Sequence, residues 1–247
     1  MLVLHVSDWH ATIHPNMPKV DLVVMTGDML PSFPLLKFEL QDGIERIYSP
    51  SDRRLKKLQS LALYKGRVID PKREAEEQRK WCKKNPFRER TGISEDTQVI
   101  AVRGNHDFID LTEWVGGKIW EVNLDSTRVF NFNGYKFGGM RGIPYIEGEW
   151  ADEFDELQCR EVAAQMPKDL DFLVTHSPPE NILDVHDGRH LGMSALSMYL
   201  LNRSLTGKTP YGHFFGHIHK PSILQHPELE TVFSNAAPRF QMMEFED

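Results

Sequence analysis

The stretch Val99-Ile100-Ala101-Val102-Arg103-Gly104-Asn105-His106-Asp107 runs from a short apolar segment into a glycine, then delivers an amide, an imidazole and a carboxylate in succession. An apolar, β-branched run without polar alternation predicts a strand buried on both faces. Polar residues just past the carboxyl end of such a strand fall where open α/β sheets place their ligands. The pattern recurs four times. Leu2 to Val6 leads to Ser7-Asp8 with His10 beyond, and Leu22 to Met25 leads to Thr26-Gly27-Asp28. Phe172 to Val174 leads to Thr175-His176, and His213 to Phe215 leads to Gly216-His217-Ile218-His219. Five strand ends are therefore expected to converge on one site.

Around this frame, Val129 to Phe137 alternates about Asn133-Gly134, a hairpin signal. Thr231-Val232-Phe233 and Gln241 to Phe245 read as late strands. Helices are expected at Lys72 to Lys84, Glu153 to Gln165 and Met193 to Leu201, with Met193, Leu196, Met198 and Leu200 on the buried side of the last.

Composition narrows the function classes. The 247 residues are 40% hydrophobic and carry a formal charge of −7, which excludes a disordered chain and a general nucleic-acid coat. No apolar run approaches the roughly 20 residues of a membrane-spanning helix. Met1 leads straight into a strand with no leader visible, and Cys82 and Cys159 lie far apart, so reduced thiols in the cytoplasm are expected. The charge is uneven. Between Arg53 and Arg90 fourteen basic residues face five acids, about +9 locally against about −16 elsewhere. This reads as a basic helical insertion at about 37–97 within one domain spanning 1–247, and as a possible surface for nucleic acid.

The residues at the strand ends carry the chemistry. Asp8, His10, Asp28, Asn105, His106, His176, His217 and His219 offer carboxylate, amide oxygen and neutral imidazole, the ligand set of borderline divalent metals. In Asp8-x-His10 and His217-x-His219, alternation along an extended chain puts both donors on one side. A carboxylate such as Asp28 can bridge two cations, and a pair of cations stabilises both oxygens of a phosphoryl displacement.

In order and wording these blocks resemble the calcineurin-like metallophosphoesterase superfamily, whose signature is D-x-H, GD, GNH[DE], a lone His and GHxH. All five are present as Asp8-Trp9-His10, Gly27-Asp28, Gly104-Asn105-His106-Asp107, His176 and Gly216-His217-Ile218-His219. The resemblance implies a four-layer αββα sandwich of two mixed β-sheets flanked by helices. It implies one divalent ion on Asp8, His10 and His219, a second on Asn105, His176 and His217, and Asp28 as the bridge. Mn²⁺ is the expected metal, with Fe²⁺, Zn²⁺, Co²⁺ and Ni²⁺ as alternatives. It makes His106 the group that protonates the leaving oxygen or holds the phosphoryl oxygen in the transition state, and Asp107 its orienting partner, although Asp107 can also be read as a helix cap.

The segments Thr175-His176-Ser177-Pro178-Pro179, Gly188-Arg189-His190-Leu191-Gly192 and Ser234-Asn235-Ala236-Ala237 are similar to the small metallophosphodiesterase branch. That likeness implies hydrolysis of a phosphodiester in a small nucleotide-like substrate. A nuclease, a phosphomonoesterase and a non-catalytic scaffold are the alternatives. Arg141 in a glycine-rich turn is a candidate grip on phosphate, against a salt-bridged surface role, and His190 is a candidate for the site rim. His5, His14, His186, His213 and His226 lie in no motif and are expected to be structural or surface residues.

Overall fold

The computed structural model describes residues 1–40, 43–52 and 62–245. Two sheets dominate. The first has the order Phe240–Glu244, Leu2–Val6, Leu22–Met25, Gln98–Val102, Ile119–Val122; its first strand is antiparallel and the rest are parallel. The second has the order Ser222–Gln225, Val232–Asn235, Gly212–Phe215, Phe172–Thr175, Tyr135–Met140, Phe130–Phe132, parallel in the middle with an antiparallel strand at each edge.

Side-chain alternation explains the layers. In the first sheet Val3, Leu22, Val24, Ile100 and Val102 join Phe137, Phe172, Val174 and Phe214 of the second in one buried cluster between the sheets. Their neighbours Leu4, Val6, Val23, Met25, Val99 and Ala101 point the other way, into a cluster with Cys82, Phe87 and Trp114 from the helical side. On the far face Leu173, Phe215 and Phe233 meet Cys159, Ala163, Leu196 and Leu200. Every central strand is thus covered twice, which is why these runs lack polar alternation. The result is a mixed α/β sandwich with helices on both outer sides, as the family resemblance implied. Phe172, fully buried with its ring stacked on Phe137 at 4.8 Å, is the kind of side chain whose burial contributes about 3 kcal/mol.

The helices begin where the caps put them. Pro71–Lys84 starts after Asp70, whose carboxylate accepts the Lys72 and Arg73 N–H groups, with Pro71 in the first turn and Lys83 and Lys84 in the last. Glu156–Gln165 is shorter than expected: Asp155 and Gln158 form a capping box, and the preceding Glu153–Phe154 pairs with Ile143–Pro144 instead. In Ser194–Leu205 the buried residues are Ala195, Leu196, Tyr199, Leu200 and Arg203. Met198, expected to be buried, is exposed, because a helix turns it away from the face shared by Leu196 and Leu200.

The segment expected to be a helical insertion is half sheet. Leu35–Glu39 is the centre of a three-stranded antiparallel sheet between Glu45–Tyr48 and Leu63–Val68, with Phe38 and Tyr48 as its small core. Helix returns only at Pro71–Lys84 and Phe87–Thr91. Lys37, Leu36 and Phe38 alternate about β-bridges rather than following a helical period. The basic positions Arg53, Arg54, Lys56 and Lys57 lie outside the described residues.

Two structural histidines set a pH limit on the fold. His5 places Nδ1 2.7 Å from Ser234 Oγ and Nε2 2.9 Å from Thr26 Oγ1. Since Ser234 donates onward to Gln241, Nδ1–H donates to Ser234 and Nε2 accepts from Thr26, so the ring is neutral. His213 contacts Thr175 Oγ1 through Nε2 at 2.8 Å, while its buried Nδ1 has no partner. Burial pushes both rings down to about 3, with His213 adding to the effect on His5. A depressed histidine stabilises the fold above its unfolded value of 6.5, and this is lost as pH falls from 6.5 toward 3. At pH 5 each ring would favour unfolding by about 2 kcal/mol. Urea midpoints at pH 7 and pH 5 are expected to fall accordingly, and His213→Gln to flatten the slope; equal midpoints at both pH values would refute it.

Candidate metal centre

The five motif loops leave the carboxyl ends of parallel strands in both sheets. The first two are zipped together: Asp8 N–H donates to Gly27 O at 2.9 Å, His10 N–H to Asp28 O at 3.0 Å and Ala11 N–H to Met29 O at 3.0 Å. This forces a backbone that side chains dislike. Asp8, His10, Ala11, Asp28 and His217 all have φ between 44° and 71°. Each such residue costs on the order of 1 kcal/mol, held in place by surrounding bonds, and the strain collects at the carboxylates and imidazoles. Gly104 and Gly216 permit the close approach: a Cβ on Gly104 would collide with Asp28, and one on Gly216 with Ser7 and Asp8.

The side chains converge as three overlapping groups, each with its donor atoms within 4.8 Å: Asp8, His10 and His219; His10, Asp28 and His106; Asp28, His176 and His217. The first holds the residues expected for one ion; the third joins Asp28 to His176 and His217, two of those expected for the other, and the second joins Asp28 to His10 and His106. Asp28 Oδ2 lies 3.5 Å from His176 Nε2, 3.9 Å from His106 Nε2 and 4.0 Å from His10 Nε2. Its Oδ1 accepts the His106 backbone N–H at 2.7 Å. Asn105 Oδ1 is 3.1 Å from His176 Nε2, which brings the amide into the third group. His10 Nε2 and His219 Nε2 face each other at 3.4 Å.

The donor set fits divalent cations. His176 Nδ1 sits 2.6 Å from Thr26 O, a carbonyl that only accepts; Nδ1 therefore carries a proton and Nε2 is turned to the cluster. Asp8 is oriented in the same way, accepting from Ser7 Oγ at 2.5 Å and from the His217 N–H at 3.0 Å. The electrostatics follow. Burial opposes ionisation of Asp28, but His176, His106 and His10 outweigh it and hold the carboxyl well below the usual range. Burial also disfavours charge on His176, yet Asp28 and Asp8 push it up to about 9. His217 is pushed down to about 4 by burial, aided by His176.

His106 and Asp107 part company. Asp107 is wholly buried, and its oxygens accept the Leu30 and Gly104 N–H groups, each at 2.9 Å. It ties the Asp28 loop to the Asn105 loop and does not orient His106. The reason is geometric: Asp107 N–H closes a tight turn onto Gly104 O at 3.2 Å, so the carboxylate folds back under its own loop. The partner of the His106 ring is Ser32 Oγ, 2.6 Å from Nδ1. Burial is the main influence on the His106 ring and lowers its pKa, against the pull of Asp28.

Gln78 completes the support. This buried residue donates to Pro31 O at 3.1 Å and His106 O at 2.6 Å, and accepts the Phe108 N–H at 2.8 Å. A helix of the basic segment thus holds the His106 loop. Neither Ser32 nor Gln78 lies in a motif; the only sequence trace of Ser32 is its position four residues after Asp28.

Arg141 and His190 are not brought into the cluster. Arg141 is largely buried and ion-paired, with Nε 3.2 Å from Asp152 Oδ2, though the N–H is poorly aimed, and Nη1 3.5 Å from Asp110. Its guanidinium is ion-paired with Asp152 and Asp110. His190 Nδ1 contacts buried Asp184 at 2.8 Å in a small hairpin with Val185 and His186. The basic segment is likewise partly neutralised: Lys65 pairs with Glu39, Arg79 with Glu113 and Lys80 with Glu77, and Arg88 is buried against backbone carbonyls. No helix among the described residues is long and apolar enough to cross a membrane.

The sequence matches the family model of calcineurin-like phosphoesterases over residues 1–221, and the chain belongs to that family of metal-dependent phosphoesterases. A search of curated proteins found no match. Among solved structures, the chain is similar to wild-type Vps29 complexed with zinc from Entamoeba histolytica, at 16% identity and a TM-score of 0.33, over 100% of this chain and 87% of that one.

Proposed function

We propose that this chain hydrolyses a phosphodiester bond in a small nucleotide-like substrate, using two divalent cations. The observation that supports this most is Asp28 Oδ2 set among three imidazoles and shared by two donor groups. Asp8, His10 and His219 would hold one ion and Asn105, His176 and His217 the other, with Asp28 common to both. Mn²⁺ is the first choice and Fe²⁺, Zn²⁺, Co²⁺ and Ni²⁺ the alternatives. When bound, such ions supply positive charge to phosphoryl oxygens and make a water nucleophile available at neutral pH.

The chain's own residues do the rest. As the imidazolium, His106 donates Nδ1–H to Ser32 Oγ and carries its second proton at Nε2, the ring atom turned toward Asp28. Giving that Nε2 proton to the departing oxygen returns His106 to the neutral imidazole. Asp28 Oδ1, bonded to the His106 N–H, keeps the ring's loop in register with the donor cluster. The free, buried Cys82 and Cys159 accord with the reducing cytoplasm.

Chelator-treated protein is expected to regain hydrolysis of bis(p-nitrophenyl) phosphate on addition of Mn²⁺ and to bind about two ions per chain. His106→Ala should keep the ions and lose about 10²–10⁴-fold in turnover. Two bound ions with no hydrolysis by any metal would favour a scaffold, and loss of an ion in His106→Ala would move His106 among the ligands. Higher rates on p-nitrophenyl phosphate would point to a phosphomonoesterase. A nuclease engaging phosphates through the basic segment should weaken steeply with salt, whereas a small substrate should not.

A further inference from the structure

We propose that Trp150 is the aromatic wall of the substrate pocket, on which the planar base of a nucleotide-like phosphoester stacks. The proposal rests on the phosphodiesterase reading above and assigns to it a specificity-determining residue. The five tryptophans divide sharply. Trp9 and Trp114 are buried in the first apolar cluster, and Trp81 and Trp120 pack against the clusters beside them. Trp150 belongs to none of the apolar clusters among the described residues. It lies partly exposed against a polar ring, His106, with centroids 4.3 Å apart and planes at 46°. An indole is costly to leave wet, and one placed on the edge of an ionic site has a natural occupant in another flat ring.

The wall is anchored to the reaction loop itself. Ala151 N–H donates to Asn105 O at 3.0 Å. Asp152 receives the Arg103 guanidinium in a fork, at 2.7 Å and 3.0 Å, and Arg103 directly precedes Gly104-Asn105-His106. Arg141 is ion-paired with the same carboxylate, its Nε 3.2 Å from Oδ2. The Trp150 indole N–H is held by Glu147 Oε1 at 3.0 Å, which fixes the ring's rotation. On the same loop Tyr145 and Ile146 are more than half exposed. Wall and His106 therefore share one rigid support, so a base resting on Trp150 would be set at a constant offset from His106. The geometry also gives Arg103 and Arg141 a role in holding the rim through Asp152.

Calorimetry on the Mn²⁺-loaded protein separates the base from the phosphate. Adenosine 5′-monophosphate is expected to bind about tenfold more weakly to Trp150→Ala, while ribose 5-phosphate changes less than twofold and Trp150→Phe keeps most of the affinity. Adenosine 5′-monophosphate should also alter the tryptophan fluorescence of the wild type more than ribose 5-phosphate does. An equal loss for both ligands would make Trp150 a mere prop for the His106 loop and overturn the proposal, as would no loss for either. Hydrolysis of bis(p-nitrophenyl) phosphate without nucleotide binding would overturn the wall alone. Absence of both hydrolysis and binding would overturn the phosphodiesterase reading with it.

Discussion

Asp28→Asn is expected to fold normally, to lose at least one of two bound divalent ions and to lower hydrolysis of bis(p-nitrophenyl) phosphate by about 10³-fold or more. The substitution is nearly isosteric. Its remaining oxygen can still accept the His106 N–H that Asp28 Oδ1 takes at 2.7 Å, so the loop keeps its shape. What changes is the other atom. Oδ2 stands 3.5–4.0 Å from three imidazoles, and an amide there removes the charge and offers N–H where an acceptor is needed. Outer-shell changes around metals already cost 10–100-fold, and Asp28 is proposed to touch both ions. A readout independent of turnover exists. His176 is pushed up to about 9 chiefly by Asp28, against burial, so in the metal-free protein its imidazole should titrate lower in the variant. Activity within tenfold of wild type, or an unmoved His176, would contradict this account.

Asp107→Ala is expected to be mainly a stability defect. Its carboxylate accepts two buried N–H groups, those of Leu30 and Gly104, and truncation leaves both without partners. At about 1–3 kcal/mol for each orphaned donor, the loss is roughly 2–6 kcal/mol. For a chain of this size that corresponds to a fall in Tm of about 10 °C. Burial, with Asp28 adding to it, pushes Asp107 up to about 7, so the charged form is itself costly. Asp107→Asn, which keeps one accepting oxygen, should lose less. Were Asp107 instead the orienting partner of His106, both variants would melt like wild type and show a displaced pH–rate profile. Thermal melts alongside pH–rate measurements decide between the two.

Much of the frame was legible because its signals are local. A strand covered on both faces shows as an unbroken apolar run, and all five runs that end in ligand residues are strands. The Asn133-Gly134 hairpin was equally plain, joining Phe130–Phe132 to Tyr135–Met140. The basic segment misled, because its lysines and arginines say how the surface is charged and not which backbone lies beneath. The strands Leu35–Glu39, Glu45–Tyr48 and Leu63–Val68 are short and half-exposed, so the apolar pattern that marks the central strands is weak there.

The donor chemistry at the centre was determined by the sequence alone: which residues carry carboxylate, amide and imidazole, and their position at the ends of buried strands. Their convergence needed the parallel strands of each sheet to present their carboxyl ends on one side, and the two sheets to stack with those ends together. Tertiary structure alone decided what each remaining group does. Asp107 follows His106 in the chain, yet bonds to Leu30, 77 residues away, while the His106 ring takes Ser32, 74 residues away. Arg141, in a turn that looked suited to phosphate, pairs with Asp152. Gln78 and Trp150 carry no motif and meet His106 only because a helix and a loop pack there. Ligand type is a property of the side chain, whereas a hydrogen-bond partner or a ring contact is a property of distance, and distance across the chain exists only once it has folded.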